Sequence, residues 1–358
     1  MGATTGEVLI RREGRAGRIT INRPQALNAL THAMIGPIWQ ALNSWQDDAA
    51  VEVVILDGSG ERALCAGGDV RALYDSRHQG SGAARGFWRD EYRLNALIGR
   101  YPKPYVAIQD GIVMGGGIGL SAHARHRVVT ERSRLAMPET GIGLIPDVGG
   151  TWLLAHAPGE LGLYLGLTGE EMNAADAIEA RFADCLVPSS RLDALKARLI
   201  DRSGGPVETV LEALATPPEQ SGLALNRHDI DRAFGDPDLD AIMAGLARGF
   251  GDWGLKTRAR LDRKSPKALK LTHAAIRQAR GLPSLEAALE VEFRLAVRLF
   301  EDGEFTEGVR ALIVDKDRTP AWSPPRLADV PDELVVRYLA PLPAEEELAL
   351  RAAPVAPH

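Results

Sequence analysis

Cysteine is scarce in this chain, which has two, Cys65 and Cys185, among 358 residues. Two cysteines so far apart do not form a disulfide framework, so we expect two free thiols and a reducing compartment. The amino-terminal residues start with strand-like alternation and show no basic segment followed by an apolar one, the pattern of a secretory signal. These features predict a cytoplasmic location.

Long hydrophobic runs and an excess of basic charge are also missing. No apolar stretch approaches the length of a membrane-spanning helix. The 42 lysines and arginines are outnumbered by 48 aspartates and glutamates, and the net charge of −6 argues against nucleic-acid binding. The eight histidines are scattered, and no histidine or cysteine spacing is typical of a metal site. We expect no metal, membrane or nucleic-acid partner, although a local basic cluster can still bind an anionic small molecule.

The hydrophobic pattern predicts an α/β protein in which strand-strand-helix units recur. Residues 7–24 alternate apolar and polar side chains around a glycine turn, and residues 25–45 then change to helical spacing. From about residue 160 strands become scarce and helices predominate. The sequence therefore predicts a first domain over residues 1–205 and a helical region over residues 206–358, with the glycine- and proline-punctuated segment 204–222 as a connection.

Two glycine-rich stretches each follow a predicted strand and precede a helix. They are "CAGGDV", with Gly67 and Gly68, and "MGGGIGLS", with glycines at 115–117. Each stretch alone is more typical of close packing at a strand-to-helix crossing. As a pair, their unhindered backbone N–H groups can form an oxyanion hole, which stabilises negative charge developing on a carbonyl oxygen.

Other glycine motifs fit these stretches less well. "GGGIG" lacks the G-x-G-x-x-G spacing of a dinucleotide-binding turn, and no Gly-Lys-Ser/Thr ends a P-loop. Ser121 in "GLSAH" lacks the second glycine of a nucleophile elbow, so we do not expect it to be a nucleophile.

Two carboxylates stand isolated among apolar residues, glycines and prolines in the stretch "MPETGIGLIPDVGG", residues 137–150. Glu139 and Asp147 each follow a proline, and the breaks at Pro146 and the neighbouring glycines place them on separate turns. Apolar surroundings and mutual proximity predict a raised pKa for at least one of them. The alternative is that Asp147 caps a helix starting near Val148.

The order of these segments resembles the enoyl-CoA hydratase/isomerase (crotonase) superfamily. The resemblance rests on "INRPQALNAL", "CAGGDV", "KPYVAIQDGIVMGGGIGL" and "MPETGIGLIPDVGG", and "EGVRALIVDKDRTPAW" resembles the family's carboxyl-terminal signature. It implies a crotonase-like spiral of strand-strand-helix units, with a helical carboxyl-terminal region that completes and covers the site. It also implies an acyl-CoA thioester whose carbonyl oxygen accepts hydrogen bonds from two amides, here those of Gly68 and Gly116, and a catalytic glutamate at Glu139.

Within that superfamily, the sequence resembles the 3-hydroxyisobutyryl-CoA hydrolase branch. Hydratases carry a second catalytic glutamate where this chain has Gly119, so water addition loses its usual partner. "DEYRLN" matches the hydrolase branch and places Glu91 at its substrate-contacting glutamate, although a solvated helix face is the alternative for Glu91. Dienoyl-CoA isomerases share the pairing of Glu139 and Asp147 but carry a further aspartate near Gly119. Isomerase or hydratase activity is the alternative function, and a non-catalytic acyl-CoA-binding scaffold is a third.

The resemblance implies hydrolysis of 3-hydroxyisobutyryl-CoA, a thioester of valine catabolism. Glu139 either attacks the carbonyl or activates water, Asp147 assists protonation of the thiolate or orients water, and Glu91 binds the substrate hydroxyl. Coenzyme A is part of the substrate, and no further cofactor is expected. A homo-oligomer is compatible with the family. The candidate cations for the CoA phosphates are Lys264, Lys267, Lys270 and Lys316.

Overall fold

The structure is a computed structural model, and residues 6–350 are the part of the chain described. In this part the strands are β1 (Val8–Glu13), β2 (Ala16–Ile21), β3 (Val53–Gly58), β4 (Ala63–Cys65), β5 (Tyr105–Gln109), β6 (Ile112–Met114), β7 (His126–Val129), β8 (Arg134–Ala136) and β9 (Cys185–Leu186). The α-helices are α1 (His32–Gln46), α2 (Val70–Ser76), α3 (Gly82–Gly99), α4 (Gly116–Ser121), α5 (Gly150–Ala155), α6 (Leu161–Thr168), α7 (Ala174–Glu179), α8 (Leu192–Ile200), α9 (Val207–Leu214), α10 (Gly222–Phe234), α11 (Leu239–Gly249), α12 (Gly251–Leu261), α13 (Pro266–Ala279), α14 (Leu285–Glu301), α15 (Glu304–Val309) and α16 (Asp332–Leu339).

The strands form two sheets. The larger has the order β1-β2-β3-β5-β7-β9, in which β1 and β2 form an antiparallel hairpin around the predicted glycine turn and the later strands pair in parallel. The smaller sheet has the order β4-β6-β8, also parallel. Each successive pair, β3 with β4, β5 with β6 and β7 with β8, therefore contributes one strand to each sheet. This recurrence confirms the predicted α/β class and its repeated strand pairs.

The chain divides into two compact units whose segments alternate along the sequence. The first unit takes the chain up to Asp69, then Arg93–Ala136 and Glu171–Ala224, and it holds the described strands. The second unit takes Val70–Tyr92, Met137–Glu170 and the chain from Leu225, and its described residues are mainly helical. The predicted regions, residues 1–205 and 206–358, stay a prediction.

The core of the first unit lies between the larger sheet and two helices. Val53 and Ile55 on β3 alternate with residues of the opposite face, and they are buried with Leu195 and Leu199, one turn apart on α8. Burying side chains of this size contributes about 2 kcal/mol each. Helix α9 completes this core, so segment 204–222 is more than the predicted connection. Its apolar residues recur at helical spacing between the glycines and prolines at its ends: Val207, Val210, Leu211 and Leu214.

The second unit is built around α13 and α14, two long helices of the carboxyl-terminal part of the chain. Each begins at a serine whose side chain accepts an N–H from the first turn: Ser265 from Ala268 and Ser284 from Ala287. Helix α13 packs against α5, α6 and α14, and α14 also packs against α5, α15 and α16. Helices α13 and α15 also pack against the turn that begins at Glu139, and α5 begins three residues after Asp147.

Candidate active site

The two glycine-rich stretches lie against each other in the first unit. A Cβ on Gly117 would overlap the carbonyl oxygen of Cys65, and a Cβ on Gly67 would lie 3.5 Å from the carbonyl oxygen of Met114. Gly67 also has a φ of +117°, a conformation that other residues rarely adopt. Glycine is therefore required here for close approach and backbone geometry, as the packing interpretation predicted.

The amides of Gly68 and Gly116 both stand at positions where regular structure supplies no acceptor. The carbonyl oxygen of Leu30 accepts the N–H of Asp69 at 2.8 Å, and the N–H of Leu30 donates to the carbonyl oxygen of Gly67 at 2.8 Å. Leu30 thus pairs with the backbone on either side of Gly68 and not with the N–H of Gly68 itself. Gly116 is the first residue of α4, where an N–H has no partner within the helix. Both N–H groups can thus donate to an acceptor outside the backbone.

Ser121 and Gly119, on the same short helix α4, contribute no reactive group. The Ser121 hydroxyl donates to the carbonyl of Gly117 at 2.6 Å and accepts from the Gln109 amide at 3.0 Å, and the side chain is fully buried. Both bonds tie the hydroxyl to its own helix and to Gln109, and the expectation that Ser121 is not a nucleophile stays a prediction. Gly119 leaves α4 without the carboxylate that hydratases carry there.

Three carboxylates meet in the second unit. Glu91 on α3 is 2% exposed, Glu139 is 4% exposed and Asp147 is 5% exposed. Asp147 and Glu139 both act electrostatically on Glu91, and Asp147 acts on Glu139, so the three groups are close neighbours. The structure therefore brings Glu91, Glu139 and Asp147 together, whereas Gly68 and Gly116 belong to the first unit.

Separate turns carry Glu139 and Asp147, as the prolines and glycines predicted. Glu139 opens a 3-10 turn, Glu139–Ile142, whose carbonyl at Glu139 accepts the N–H of Leu144 at 3.0 Å. Gly143 ends this turn with a φ of +71°. Asp147 lies on the next turn, just before α5.

The alternative interpretations of Asp147 and Glu91 are both wrong. Asp147 does not cap α5, which begins at Gly150 and has no side-chain cap; its carboxylate instead accepts the hydroxyl of Tyr92 at 2.7 Å. Glu91 is not on a solvated helix face, because it lies on the side of α3 that faces the interior and is only 2% exposed. Both acids are thus in the interior, where an ionisable group is rare unless it is paired or functional.

Burial is the main cause of raised pKa values in this cluster. It raises the pKa of Asp147 from 3.8 to about 6, although the hydrogen bond from Tyr92 acts in the opposite direction. The pKa values of Glu91 and Glu139 are raised well above their usual range by burial and then by the charge of Asp147. Lys264 partly opposes this effect on Glu139. The carboxyl groups therefore exchange protons at higher pH than ordinary carboxylates do.

Two carboxylate oxygens of the cluster are buried and unused. Within the described residues, Oε1 of Glu91 and Oε2 of Glu139 have no hydrogen-bond partner. A buried polar atom without a partner is unfavourable by about 1–3 kcal/mol, so native proteins keep few of them. Both atoms can accept a hydrogen bond from a bound molecule or, in the case of Glu139, attack one.

Two further groups at this site were missed by the sequence analysis. Tyr92 holds Asp147, and Glu292 on α14 accepts N–H groups from the turn after Asp147. Glu292 had a detectable signal, because it stands on the apolar stripe of α14 with Leu289 and Leu295. An acidic residue at such a position is unusual and points to a buried partner.

The four candidate lysines for CoA phosphates differ in their surroundings. Lys267 forms ion pairs with Asp302 and Glu304, and Lys270 forms one with Asp332. Lys316 is exposed. Lys264 lines a cavity of about 380 Å³ in the second unit together with Arg258 and Arg326, and burial lowers its pKa to about 8. Lys264 is thus the lysine of this set that both borders a cavity and acts on Glu139.

Residues 6–350 contain neither a cluster of metal-ligating side chains nor a membrane-spanning helix. In that range no group of three or more His, Cys, Asp and Glu side chains is arranged to hold a metal ion. None of the helices there is long and apolar enough to cross a membrane.

Comparison with known proteins supports the resemblance seen in the motifs. Residues 16–339 match the family model for enoyl-CoA hydratase/isomerase. The mitochondrial 3-hydroxyisobutyryl-CoA hydrolase of Danio rerio is 40% identical over 344 residues, covering 94% of this chain and 90% of the relative. The protein of the same name from Xenopus tropicalis is 39% identical over 345 residues, covering 94% and 89%.

The predicted cytoplasmic location is wrong, because these relatives are named as mitochondrial proteins. The prediction rested on two free cysteines and on the lack of a secretory pattern. Those features separate reducing from oxidising surroundings, and they do not distinguish one reducing compartment from another.

A solved structure agrees in fold and in family. The crystal structure of a carnitinyl-CoA dehydratase from Mycobacterium thermoresistibile superposes with a TM-score of 0.91 at 45% identity, covering 96% of this chain and 98% of the other. The relatives thus share the crotonase fold and act, by their names, on CoA thioesters. The family match, the two hydrolase relatives and this structure together confirm the resemblance, including its hydrolase branch. The chain belongs to the enoyl-CoA hydratase/isomerase family.

Proposed function

We propose that the protein is a thioester hydrolase that converts 3-hydroxyisobutyryl-CoA and water to 3-hydroxyisobutyrate and CoA. Relatives with this name cover 94% of the chain at about 40% identity. A hydrolase needs a group that delivers an oxygen nucleophile to the thioester carbonyl and a group that manages the proton of the leaving thiol. We assign these two roles to Glu139 and Asp147, and the support for this is that both acids of the second unit are buried and have raised pKa values.

The observation that carries the proposal is the unused Oε2 atom of Glu139. It is buried, it has no partner among the described residues, and the raised pKa of its carboxyl makes the ionised form a stronger base than an ordinary glutamate. Asp147, whose pKa is about 6, ionises before Glu139, and its charge helps to keep a proton on the pair by raising the pKa of Glu139. Two coupled carboxyls that share protons in this way can act as base and acid in one reaction, and the apparent pKa values belong to the pair.

In the proposed reaction the carbonyl oxygen of the thioester accepts the N–H groups of Gly68 and Gly116. Negative charge that develops on this oxygen is stabilised by the two amides. The acyl carbon gains a bond to oxygen, from water activated by Glu139 or from Oε2 of Glu139 itself, and its bond to sulfur breaks. In the second route water then opens the resulting anhydride and regenerates the carboxylate. In both routes the sulfur leaves with the bonding electrons and takes a proton, which Asp147 supplies or relays.

Glu91 is proposed to select the hydroxylated acyl chain. Its Oε1 is buried and has no hydrogen-bond partner in residues 6–350. A substrate hydroxyl that donates to this atom therefore gives the buried acceptor the hydrogen bond that it lacks. A substrate without the hydroxyl leaves the atom unpaired and is bound less well. Discrimination of this kind is stronger than discrimination by shape alone.

The proposal needs no cofactor apart from the coenzyme A of the substrate. The chelator EDTA is therefore expected to leave the rate unchanged. We also propose that the protein forms a homo-oligomer, because large apolar side chains such as Leu225 and Val336 are exposed on the surface. Sedimentation velocity tests this proposal.

The deciding experiment measures free CoA thiol released from 3-hydroxyisobutyryl-CoA, with a thiol reagent, for the wild type and for Glu139→Gln. We expect thiol release by the wild type and none by the variant. The substitution keeps the shape of the side chain and removes its charge. No thiol release by the wild type contradicts the proposal.

A dehydratase is the second candidate, because the structural relative at 45% identity carries the name carnitinyl-CoA dehydratase. The same assay includes a matched enoyl-CoA, and the double bond is followed separately from the thiol. Gain or loss of the double bond without thiol release favours a hydratase, dehydratase or isomerase reaction. The missing carboxylate at Gly119 argues against this outcome.

A further inference from the structure

Glu292 is a buried acid of the second unit to which the proposed reaction gives no role. It lies near the middle of α14, is fully buried, and directs both carboxylate oxygens at the turn that follows Asp147. Oε2 accepts the N–H of Gly149 at 2.7 Å, and Oε1 accepts the N–H of Thr151 at 2.9 Å. The Thr151 hydroxyl also donates to Oε1. One side chain thus binds three donors within three residues of backbone.

The turn that receives these bonds has an unfavourable backbone. Val148 has a φ of +54° and Gly149 has a φ of +80°. A β-branched residue in the left-handed region is disfavoured by about 1–3 kcal/mol and persists only where its surroundings enforce it. The bond from the N–H of Gly150 to the carbonyl of Asp147, at 2.6 Å, closes the turn locally. The bonds to Glu292 attach it to α14.

Asp147 is thereby held from two sides. Its carboxylate accepts the hydroxyl of Tyr92, and its backbone continues directly into the turn bound by Glu292. If the turn relaxed to an ordinary conformation, the Asp147 carboxylate would move relative to its neighbour Glu139. A displacement of about 1 Å at a reacting group can lower a rate about 100-fold.

We propose that Glu292 is a positioning residue that holds the strained turn at Val148 and Gly149, and so fixes the carboxylate of Asp147 for catalysis. The expected effect of Glu292 on the rate rests on the proposed function, whereas its role in holding the turn does not.

The electrostatics of the site agree with this role. Burial raises the pKa of Glu292 to about 8, and the charge of Asp147 adds to that effect, while the bonds from Thr151 and Gly149 oppose it. Glu292 in turn raises the pKa values of Tyr92 and Glu139. Burying a carboxyl group contributes little to the stability of α14 itself. An apolar residue at position 292, however, would leave the three donors of the turn without an acceptor.

The test compares Glu292→Gln with Glu290→Gln, on the same helix. A glutamine at 292 keeps one acceptor and turns an NH₂ group toward a backbone N–H, so at least one bond to the turn is lost. Glu290 points away from this turn and accepts the N–H of Leu350 at 3.0 Å. Two further variants change Thr151, whose hydroxyl donates to Glu292. Thr151→Val removes this hydroxyl, and Thr151→Ser keeps it.

Two readouts are measured for each variant, the kinetic constants of thioester hydrolysis and the hydrogen exchange of the amides of Gly149 and Thr151. For Glu292→Gln we expect kcat to fall about 10- to 100-fold with KM changed less than about twofold, and the two amides to exchange faster. Thr151→Val should show a smaller change of the same kind. Thr151→Ser and Glu290→Gln should match the wild type. A general loss of packing would instead change KM and the exchange of distant amides as well.

The inference is overturned if Glu292→Gln keeps kcat within about twofold of the wild type, or if the amides of Gly149 and Thr151 exchange at the wild-type rate. Equal losses in Glu292→Gln and Glu290→Gln also overturn it. If the wild type releases no thiol, the proposed function fails, and the exchange rates still decide whether Glu292 holds the turn.

Discussion

Replacing Asp147 by asparagine should stabilise the folded protein at neutral and alkaline pH while it removes a proposed catalytic group. Asparagine has nearly the same volume, and its amide oxygen can still accept the hydroxyl of Tyr92, which binds Asp147 at 2.7 Å. The main change is the loss of a charge from a site that is 5% exposed. Functional sites often carry such destabilising groups.

The magnitude follows from the pKa of Asp147. Burial raises it from 3.8 to about 6, so the folded protein binds this proton more tightly than the unfolded chain does. Because the folded pKa is the higher one, the stabilisation associated with the protonated group is complete below pH 3.8 and is lost as pH rises through about 6. Each pKa unit corresponds to about 1.4 kcal/mol, so ionised Asp147 destabilises the folded state by about 3 kcal/mol above about pH 7.

The assay is thermal unfolding of Asp147→Asn and the wild type at a series of pH values between about 5 and 9. The Tm of the variant should exceed that of the wild type, and the difference should grow from about pH 5 to about pH 7 and then stay constant. Asp193→Asn is the matched control, because the Asp193 side chain is fully exposed. This control should follow the wild type at every pH.

The reasoning is refuted if Asp147→Asn unfolds at the same or a lower temperature than the wild type above about pH 7. It is also refuted if the difference in Tm does not depend on pH. Either result would mean that the Asp147 carboxylate is stabilised by its surroundings and that its burial is not the dominant effect.

Four further outcomes are expected. Glu139→Gln should abolish thiol release but keep the affinity for CoA measured by calorimetry; loss of both would indicate a structural role. Glu91→Ala should lower the preference for hydroxylated over deoxy acyl-CoA at least about 10-fold in kcat/KM, and an unchanged preference would exclude the proposed contact. Lys264→Met removes a cation that lowers the pKa of Glu139, so the acid limb of the kcat/KM profile should move to higher pH, and a shift to lower pH would contradict this. Gly117→Ala should lower Tm, because its Cβ would overlap the carbonyl of Cys65; an unchanged Tm would show that the backbone there can move apart.

The local features of the fold could be predicted because each depends on residues that are neighbours in sequence. The hairpin β1–β2, the paired strands and the long helices α13 and α14 follow from alternation and helical spacing. Helix α1 was predicted to begin earlier than it does, at residue 25 instead of His32. Leu27 and Asn28 have φ values of +50° and +57°; asparagine adopts this conformation more readily than most residues, but leucine rarely does, so the interruption at Leu27 was not predicted.

The candidate site was predicted to the extent that its residues lie in short motifs. The two glycine stretches and the pair Glu139 and Asp147 are visible as unusual local composition, and the resemblance to known enzymes adds Glu91. Tyr92 and Glu292 were not predicted, since each acts on a turn that lies more than fifty residues away in sequence. Hydrogen bonds over such separations depend on how helices pack.

The sequence by itself determined which chemical groups are present and which backbone turns carry them. Proline and glycine interrupt the chain around Glu139 and Asp147 in any context, because their φ preferences are properties of single residues. Only the tertiary structure decided the chemistry of these acids. Their pKa values depend on burial and on charges brought from α3 and α14, and burial exists only when segments distant in sequence pack together to exclude water.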